Sequence, residues 1–245
     1  MRKFGLIGHP LTHSFSKKYF TEKFEKEGIE DCEYELYDIP NAFELDEILN
    51  DDPEIEGINV TIPHKEDVIA WVDDLEEACE EIGAVNCIHI KDGIRTGYNT
   101  DYIGFKNSLS PWLGSVKPKA LILGTGGASK AVKQALNDLE IDFLNVSRTE
   151  DEGQITYEDL DSDPEIMKTH HLIVNTTPLG TFPKIDGIPA IPLEQLTSYH
   201  FVYDLVYNPP VTALMQACLD KGGKAKNGHE MLILQAEAAW EIWNS

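Results

Sequence analysis

Arginine is nearly missing from this 245-residue chain: Arg2, Arg95 and Arg148 are the whole supply. With 20 basic residues set against 43 acidic ones, the net charge is -23. A surface that acidic repels phosphate backbones and anionic lipid, which argues against sequence-independent binding to nucleic acid or membrane. It also means that an anionic ligand must be met by local donors, so the position of each arginine carries information. The four cysteines, Cys32, Cys79, Cys87 and Cys218, form neither a CxxC pair nor a zinc spacing. They read as reduced thiols of a cytoplasmic protein. None of the eight histidines stands in an HExxH-type spacing, so no catalytic metal is expected. No apolar run approaches the ~20 residues of a membrane span, and the N-terminus lacks a signal-peptide pattern.

What is present is a soluble globular composition, 42% hydrophobic and 26% charged, long enough for one large domain or two small ones. Lys3 to Gly8 reads as a strand, followed by His13-Ser14-Phe15-Ser16 and a helix with Tyr19, Phe20 and Phe24 on one face. Tyr34 to Tyr37 and Gly57 to Ile62 read as further strands, the second running through Pro63 to Lys65 at the first turn of another helix. Between Asp73 and Glu81, with Ile82 beyond, Leu75, Cys79 and Ile82 recur at helical spacing with carboxylates on the other face. Two short strands, Asn86 to Ile90 and Ile94 to Tyr98, are joined across Lys91-Asp92-Gly93. This alternation implies a mostly parallel, helix-covered sheet over residues 1 to about 100.

A second alternation starts near Lys119. Ala120 to Leu123 is a strand apolar on both faces, and Gly124-Thr125-Gly126-Gly127-Ala128-Ser129 turns it into a helix with Ala131, Val132, Ala135, Leu136 and Leu139. Glycine suits such a turn because backbone must bend sharply and a pyrophosphate must approach bare N–H groups at a helix N-terminus. A strand before and an amphipathic helix after supply the context of a dinucleotide-binding βαβ unit. At the end of the next strand, an acidic residue would bind the ribose of NAD and an arginine would take the 2′-phosphate of NADP. The chain has Ser147-Arg148-Thr149 there, which favours NADP. Glu150, Asp151 and Glu152 follow at once and oppose a phosphate dianion.

Lys65 could pass a proton if it is partly desolvated and faces a carboxylate. Asp101, in Tyr98-Asn99-Thr100-Asp101, reads on local grounds as a helix N-cap more than as a catalyst. Ser14 and Ser16 read as turn or cap serines as well as ligand donors, the cap reading being strongest at Ser16.

Taken together, Asn59-Val60-Thr61-Ile62-Pro63-His64-Lys65, Asn99-Thr100-Asp101, the serine pair and the glycine turn resemble the shikimate dehydrogenase family over nearly the whole chain. The resemblance implies a two-domain α/β fold. Its parts are a mostly parallel substrate domain (1–103), a Rossmann-like NADP domain (104–210) and C-terminal helices (211–245) packing back on the first domain. It implies reversible NADPH-dependent reduction of 3-dehydroshikimate to shikimate, in the cytoplasm, by a monomer or homodimer that binds a small molecule and neither nucleic acid nor membrane. Lys65 and Asp101 then correspond to the catalytic pair at the reacting hydroxyl, and Ser14 and Ser16 to the holders of the substrate carboxylate. Thr61, Asn86 and Asp101 correspond to the ring-hydroxyl ligands, with Lys65, Tyr207 and Gln235 completing the substrate set. On the cofactor side the resemblance implies Gly124, Thr125, Gly126, Gly127 and Ala128, then Ser147, Arg148 and Thr149. Asn175-Thr176-Thr177-Pro178-Leu179-Gly180, with Asn175 and Thr176 as its cofactor residues, matches the loop beside the cofactor, Leu205 the nicotinamide side, and Gly228 the glycine near the nicotinamide.

The chain departs from the family pattern at its start, with His9 for asparagine, Lys17 for proline, and no His-Asn pair after the serines. Two alternatives stay open at this point: an NAD-using quinate/shikimate dehydrogenase, and a non-catalytic dinucleotide-binding regulator.

Overall fold

The computed structural model describes residues 1–11 and 14–245. Thr12 and His13, the latter part of the expected serine loop, lie outside the described residues. Two compact units emerge: residues 1–103 with 235–245, and residues 104–234.

The first unit begins with β1 (Arg2–Gly8), α1 (Phe15–Glu27), β2 (Cys32–Asp38), α2 (Glu44–Asp51) and β3 (Ile55–Val60). It continues through a 3₁₀ turn (Asp67–Trp71), β4 (Asp74–Leu75), α3 (Glu77–Ile82), β5 (Cys87–Lys91) and β6 (Ile94–Tyr98). Helix α4 (Thr100–Leu113) starts there and continues into the second unit. The sheet order is β2-β1-β3-β5-β6-β4. Strands β2, β1 and β3 run parallel, β5 and β6 form an antiparallel hairpin beside β3, and β4 closes the edge parallel to β6. One face of this sheet carries a core of Ile7, Leu45, Ile58, Val60, Val68, Val85 and Ile88. The other buries Phe4, Phe20, Phe24, Tyr34 and Trp243 together, with the Phe4 and Trp243 rings stacked at 4.8 Å. Each such aromatic or aliphatic side chain contributes roughly 1.5–3 kcal/mol on burial. Trp243 also donates its indole N–H to the Ile88 carbonyl at 3.0 Å, which satisfies its polar atom inside the core.

The second unit contains β7 (Ala120–Leu123), α5 (Gly127–Asp138), β8 (Phe143–Ser147), β9 (Gln154–Thr156), α6 (Tyr157–Ser162), α7 (Pro164–Thr169) and β10 (Leu172–Asn175). A short 3₁₀ turn (Leu193–Gln195), β11 (Phe201–Asp204), α8 (Ala213–Asp220) and β12 (Lys224–Asn227) follow, and α9 (His229–Trp243) begins here. Its strands are ordered β12-β11-β10-β7-β8-β9, all parallel. Numbered within the unit, that order is the doubly wound 3-2-1-4-5-6 arrangement of dinucleotide-binding sheets. Successive strands are added to one side of β7 up to β9 and to its other side from β10, so a crevice opens beyond the C-terminal ends of β7 and β10, where Gly124 and Thr176 stand.

Several expectations need correction. Lys65 does not lie in a helical turn; residues 62–66 form a non-helical turn, and only a 3₁₀ segment follows from Asp67. The helix expected from Asp73 starts at Glu77. Asp74 and Leu75 instead pair with Thr96 and Gly97, and Glu76 caps the helix by accepting from the Cys79 N–H. Residues 211–234, expected with the helices returning to the first domain, belong to the second unit, because β12 satisfies its backbone on the edge of β11. Only the stretch from Gln235 onward joins the first unit. Strands β9 and β12 and helices α6 and α7 were not expected at all. Among the described residues, no helix is long and apolar enough to cross a membrane.

Candidate active site

In the first unit the expected substrate residues are carried at the ends of strands. Thr61 follows β3 and is held by its N–H to the Ile7 carbonyl (3.0 Å). Four residues on, the Lys65 ammonium meets Asp101 Oδ2 at 2.5 Å, with side chains only 21% and 16% exposed. Such a pair is charge-assisted and short, and its partial burial strengthens the attraction. The backbone beneath it is anchored, for the Lys65 carbonyl accepts the Val85 N–H at 2.7 Å.

Asp101 owes its freedom to its neighbour. Asn99, not Asp101, caps α4: its Oδ1 accepts the Tyr102 N–H at 3.1 Å while its Nδ2 donates to the Ala84 carbonyl at 2.8 Å. The carboxylate two residues later is thus left for Lys65. Asn86, just before β5, reaches the same helix start, and its Oδ1 accepts from Thr100 N–H (2.6 Å) and hydroxyl (3.2 Å). With that oxygen engaged, its amide N–H groups are the part suited to a ligand, and they call for an acceptor such as a hydroxyl or carbonyl oxygen. Gln235, 8% exposed on α9, stands 3.5 Å from the Thr100 hydroxyl.

The serines divide their work. Ser14 caps α1, its Oγ accepting the Lys17 N–H at 3.2 Å, so its own O–H remains a donor for an anion. This reverses the expectation that Ser16 would be the cap. Ser16 instead hydrogen-bonds the buried Tyr34 phenol, and that phenol donates to Asn59 Oδ1 at 2.8 Å. Burial pushes the Tyr34 phenol well above its usual pKa, the Ser16 contact offsetting this only in part. The departures also find partners: His9 pairs with Asp38 (2.7 Å) and Lys17 with Glu35 (2.6 Å).

In the second unit a cavity of about 860 Å³ opens where the strand order switches sides. Gly124, Thr125, Gly126, Ser147, Arg148, Thr149 and Thr176 line it with Thr177, Pro178 and Leu179 of the same expected loop, joined by Tyr157, Ile188 and Ala190, which sequence alone did not suggest. Gly124 has φ +109, and a Cβ on it would stand 2.9 Å from the Thr176 hydroxyl, so glycine is required twice over. Above Gly126 and Gly127 there is open space, with nothing within 4 Å of an added Cβ. Helix α5 begins at Gly127 and offers its N–H groups to that space. Cavity size, bare glycine backbone, helix N-terminus and Arg148 all fit a phosphorylated dinucleotide.

The remaining expected cofactor residues play other parts. Gly127, Ala128, Asn175, Leu205 and Gly228 are not in the cavity lining. The Asn175 side chain is buried and engaged: Nδ2 donates to Asp204 Oδ1 (2.9 Å), and Oδ1 accepts from the Thr177 N–H (3.0 Å) and hydroxyl (2.7 Å). It therefore shapes the loop that presents Thr176 and Thr177. Asp204, fully buried, also accepts from the Thr212 hydroxyl at 2.6 Å and the Val206 N–H at 3.1 Å. Desolvation raises its pKa, with those three donors pulling the other way. Gly228 packs against the backbone of Leu205, where a Cβ would stand 2.7 Å from the carbonyl carbon and nearer still to the oxygen. Tyr207, 42% exposed, belongs to this second unit, and the other expected substrate residues belong to the first. No cluster of metal-ligating side chains occurs among the described residues.

A doubly wound sheet with a glycine turn and a nucleotide-sized cavity defines a dinucleotide-binding protein of two α/β units. Sequence comparison narrows this further. Residues 6–88 match the shikimate dehydrogenase substrate binding domain. An NADP(+) shikimate dehydrogenase of Methanosphaera stadtmanae is 36% identical over 260 residues, covering 98% of this chain and 90% of that one. Among solved structures, shikimate 5-dehydrogenase of Thermus thermophilus in complex with NADP(H) and shikimate aligns with TM-score 0.87 at 30% identity, over 99% of this chain and 93% of that one. Quinate dehydrogenase of Corynebacterium glutamicum in complex with NAD also aligns with TM-score 0.87, at 25% identity and the same coverage. The chain belongs to the shikimate dehydrogenase family.

Proposed function

We propose that this protein is an NADP-dependent shikimate dehydrogenase, an oxidoreductase acting on a CH–OH group that interconverts 3-dehydroshikimate and shikimate on the route to chorismate and the aromatic amino acids. The single observation that carries this reading is the half-buried Lys65–Asp101 pair at 2.5 Å, retained in a chain that also keeps the nucleotide cavity. When bound, NADPH supplies the hydride. Lys65 Nζ gives a proton to the substrate oxygen as the carbonyl becomes a hydroxyl, and takes it back in the reverse direction. Asp101 holds the ammonium in place and accepts from the same hydroxyl. The Ser14 O–H meets the substrate carboxylate with Ser16 beside it, so the anion is bound by neutral donors inside an acidic protein. Thr61, Asn86, Gln235 and Tyr207 orient the ring hydroxyls, while Arg148 and Thr149 take the 2′-phosphate. The four thiols are unpaired, in keeping with a cytoplasmic enzyme, and the working unit is a monomer or homodimer.

Initial rates at 340 nm with shikimate and NADP, repeated with NAD and with quinate, test the reading. Shikimate-dependent reduction of NADP well above NAD supports it, and no reduction of either cofactor by either substrate sinks it. One observation favours a second reading: Glu150, Asp151 and Glu152 are all exposed beside Arg148. Faster reduction of NAD than of NADP would mean that these carboxylates govern the ribose site.

A further inference from the structure

His64 stands next to the proposed proton donor in the sequence, yet its side chain turns away into the protein and is only 1% exposed. Its Nε2 lies 2.7 Å from the Ile39 carbonyl oxygen. A carbonyl can only accept, so this nitrogen carries the proton. The other ring nitrogen, Nδ1, is buried and finds no hydrogen-bond partner among the described residues. A proton on Nδ1 would be a buried N–H with no acceptor, so the geometry selects the Nε2–H tautomer. Main-chain bonds on both sides tie this ring to the turn: the His64 N–H donates to Thr61 O (3.0 Å), and its carbonyl accepts from Val68 (2.9 Å). The next carbonyl, that of Lys65, accepts from Val85. Ile39 is itself fixed to the end of β1 through its N–H to the Gly8 carbonyl at 3.1 Å.

We infer that His64 is a positioning residue for Lys65. Its Nε2–H bond to Ile39 braces a turn that has no helix to stiffen it, and so sets where the Lys65 ammonium stands relative to Asp101. The effect belongs to turnover rather than to ligand binding, because the buried His64 side chain is engaged with the Ile39 carbonyl and leaves ligand contacts to other residues. It rests on the dehydrogenase reading for its kinetic consequence, while its structural core can be tested without turnover.

The experiment compares wild type with His64→Leu, which removes the donor, and His64→Gln, which keeps an N–H near the Nε2 position. Expected for His64→Leu is a loss of kcat of at least tenfold, with shikimate KM and NADP Kd changing less than threefold. His64→Gln should recover most of the lost kcat. Wild-type kcat in His64→Leu would overturn the inference, as would a rise in KM with kcat intact, or a glutamine variant no better than leucine. Two further measurements need no catalysis. Histidine ¹⁵N shifts should show His64 as the Nε2–H tautomer, and hydrogen exchange at the Val85 amide should quicken in His64→Leu but not in His64→Gln. An Nδ1–H tautomer, or unchanged Val85 protection, defeats the inference even if the protein turns over shikimate. Absence of turnover in wild type with both signatures present removes the dehydrogenase reading and leaves the brace standing.

Discussion

Replacing Gly228 with alanine probes how the start of α9 is set against the loop after β11. The Gly228 N–H donates to the Val206 carbonyl at 3.3 Å, and its own carbonyl accepts from Leu232 at 2.9 Å, so the residue is held at both ends. A methyl group would stand 2.7 Å from the Leu205 carbonyl carbon, against an ordinary carbon contact of about 3.5–4.0 Å. Backbone would therefore have to retreat by roughly 1 Å, and main chain has no rotamer through which to yield. Overpacking costs about 1–3 kcal/mol, and this backbone-on-backbone case belongs at the upper end. For a protein of this size each kcal/mol lowers Tm by about 2–4 °C, so Gly228→Ala should melt about 5–10 °C below wild type. Because Leu205 and Gly228 are the expected nicotinamide neighbours, NADP affinity should fall as well. Thermal unfolding by circular dichroism and titration of NADP by calorimetry read the two effects. A variant that melts within a degree of wild type and binds NADP as tightly would refute the reasoning.

Lys65→Ala should lower kcat by ~10²–10⁴ with shikimate KM nearly unchanged, because the proton at the substrate oxygen loses its donor; steady-state rates in both directions check this. Arg148→Ala should weaken NADP roughly ten- to hundredfold and leave NAD binding as it was, measured by calorimetry. Equal losses for both cofactors would show that the guanidinium is not reading the 2′-phosphate. Asp204 bears on pH. Its folded pKa is raised, so between the unfolded value of 3.8 and the higher folded value the native state holds a proton that the unfolded chain has released. The stability that this group contributes is present below the unfolded value and declines as pH rises through the folded one. Asp204→Asn should remove that slope: the difference in Tm between wild type and variant should change across this window and be flat above it. A constant difference at every pH would mean that Asp204 does not titrate as described.

Local physics made much of this protein legible in its sequence. An apolar strand, a glycine turn and an amphipathic helix follow one another within residues 120–138, so the nucleotide-binding unit is encoded in neighbours along the chain. The scarcity of arginine singled out Arg148 before any geometry was known, and the structure sets it in the cavity lining with Ser147 and Thr149. Lys65 stood out through its motif. Edge strands of three or four residues, such as β9 and β12, are too short to show a period and went unread.

Sequence by itself therefore determined the two alternations of strand and helix, the family and the chemistry-bearing residue types. Tertiary structure alone decided which of several equivalent polar residues does which task. Asn99 and Asp101 are both good helix caps, and Ser14 and Ser16 both good turn residues, so nothing local chooses between them. The choice falls to partners distant in the chain: Ala84 engages Asn99, Lys65 claims Asp101, and the phenol of Tyr34 draws in Ser16. Buried polar groups must be satisfied, and which partner is within reach depends on the packing of strands that the sequence places far apart.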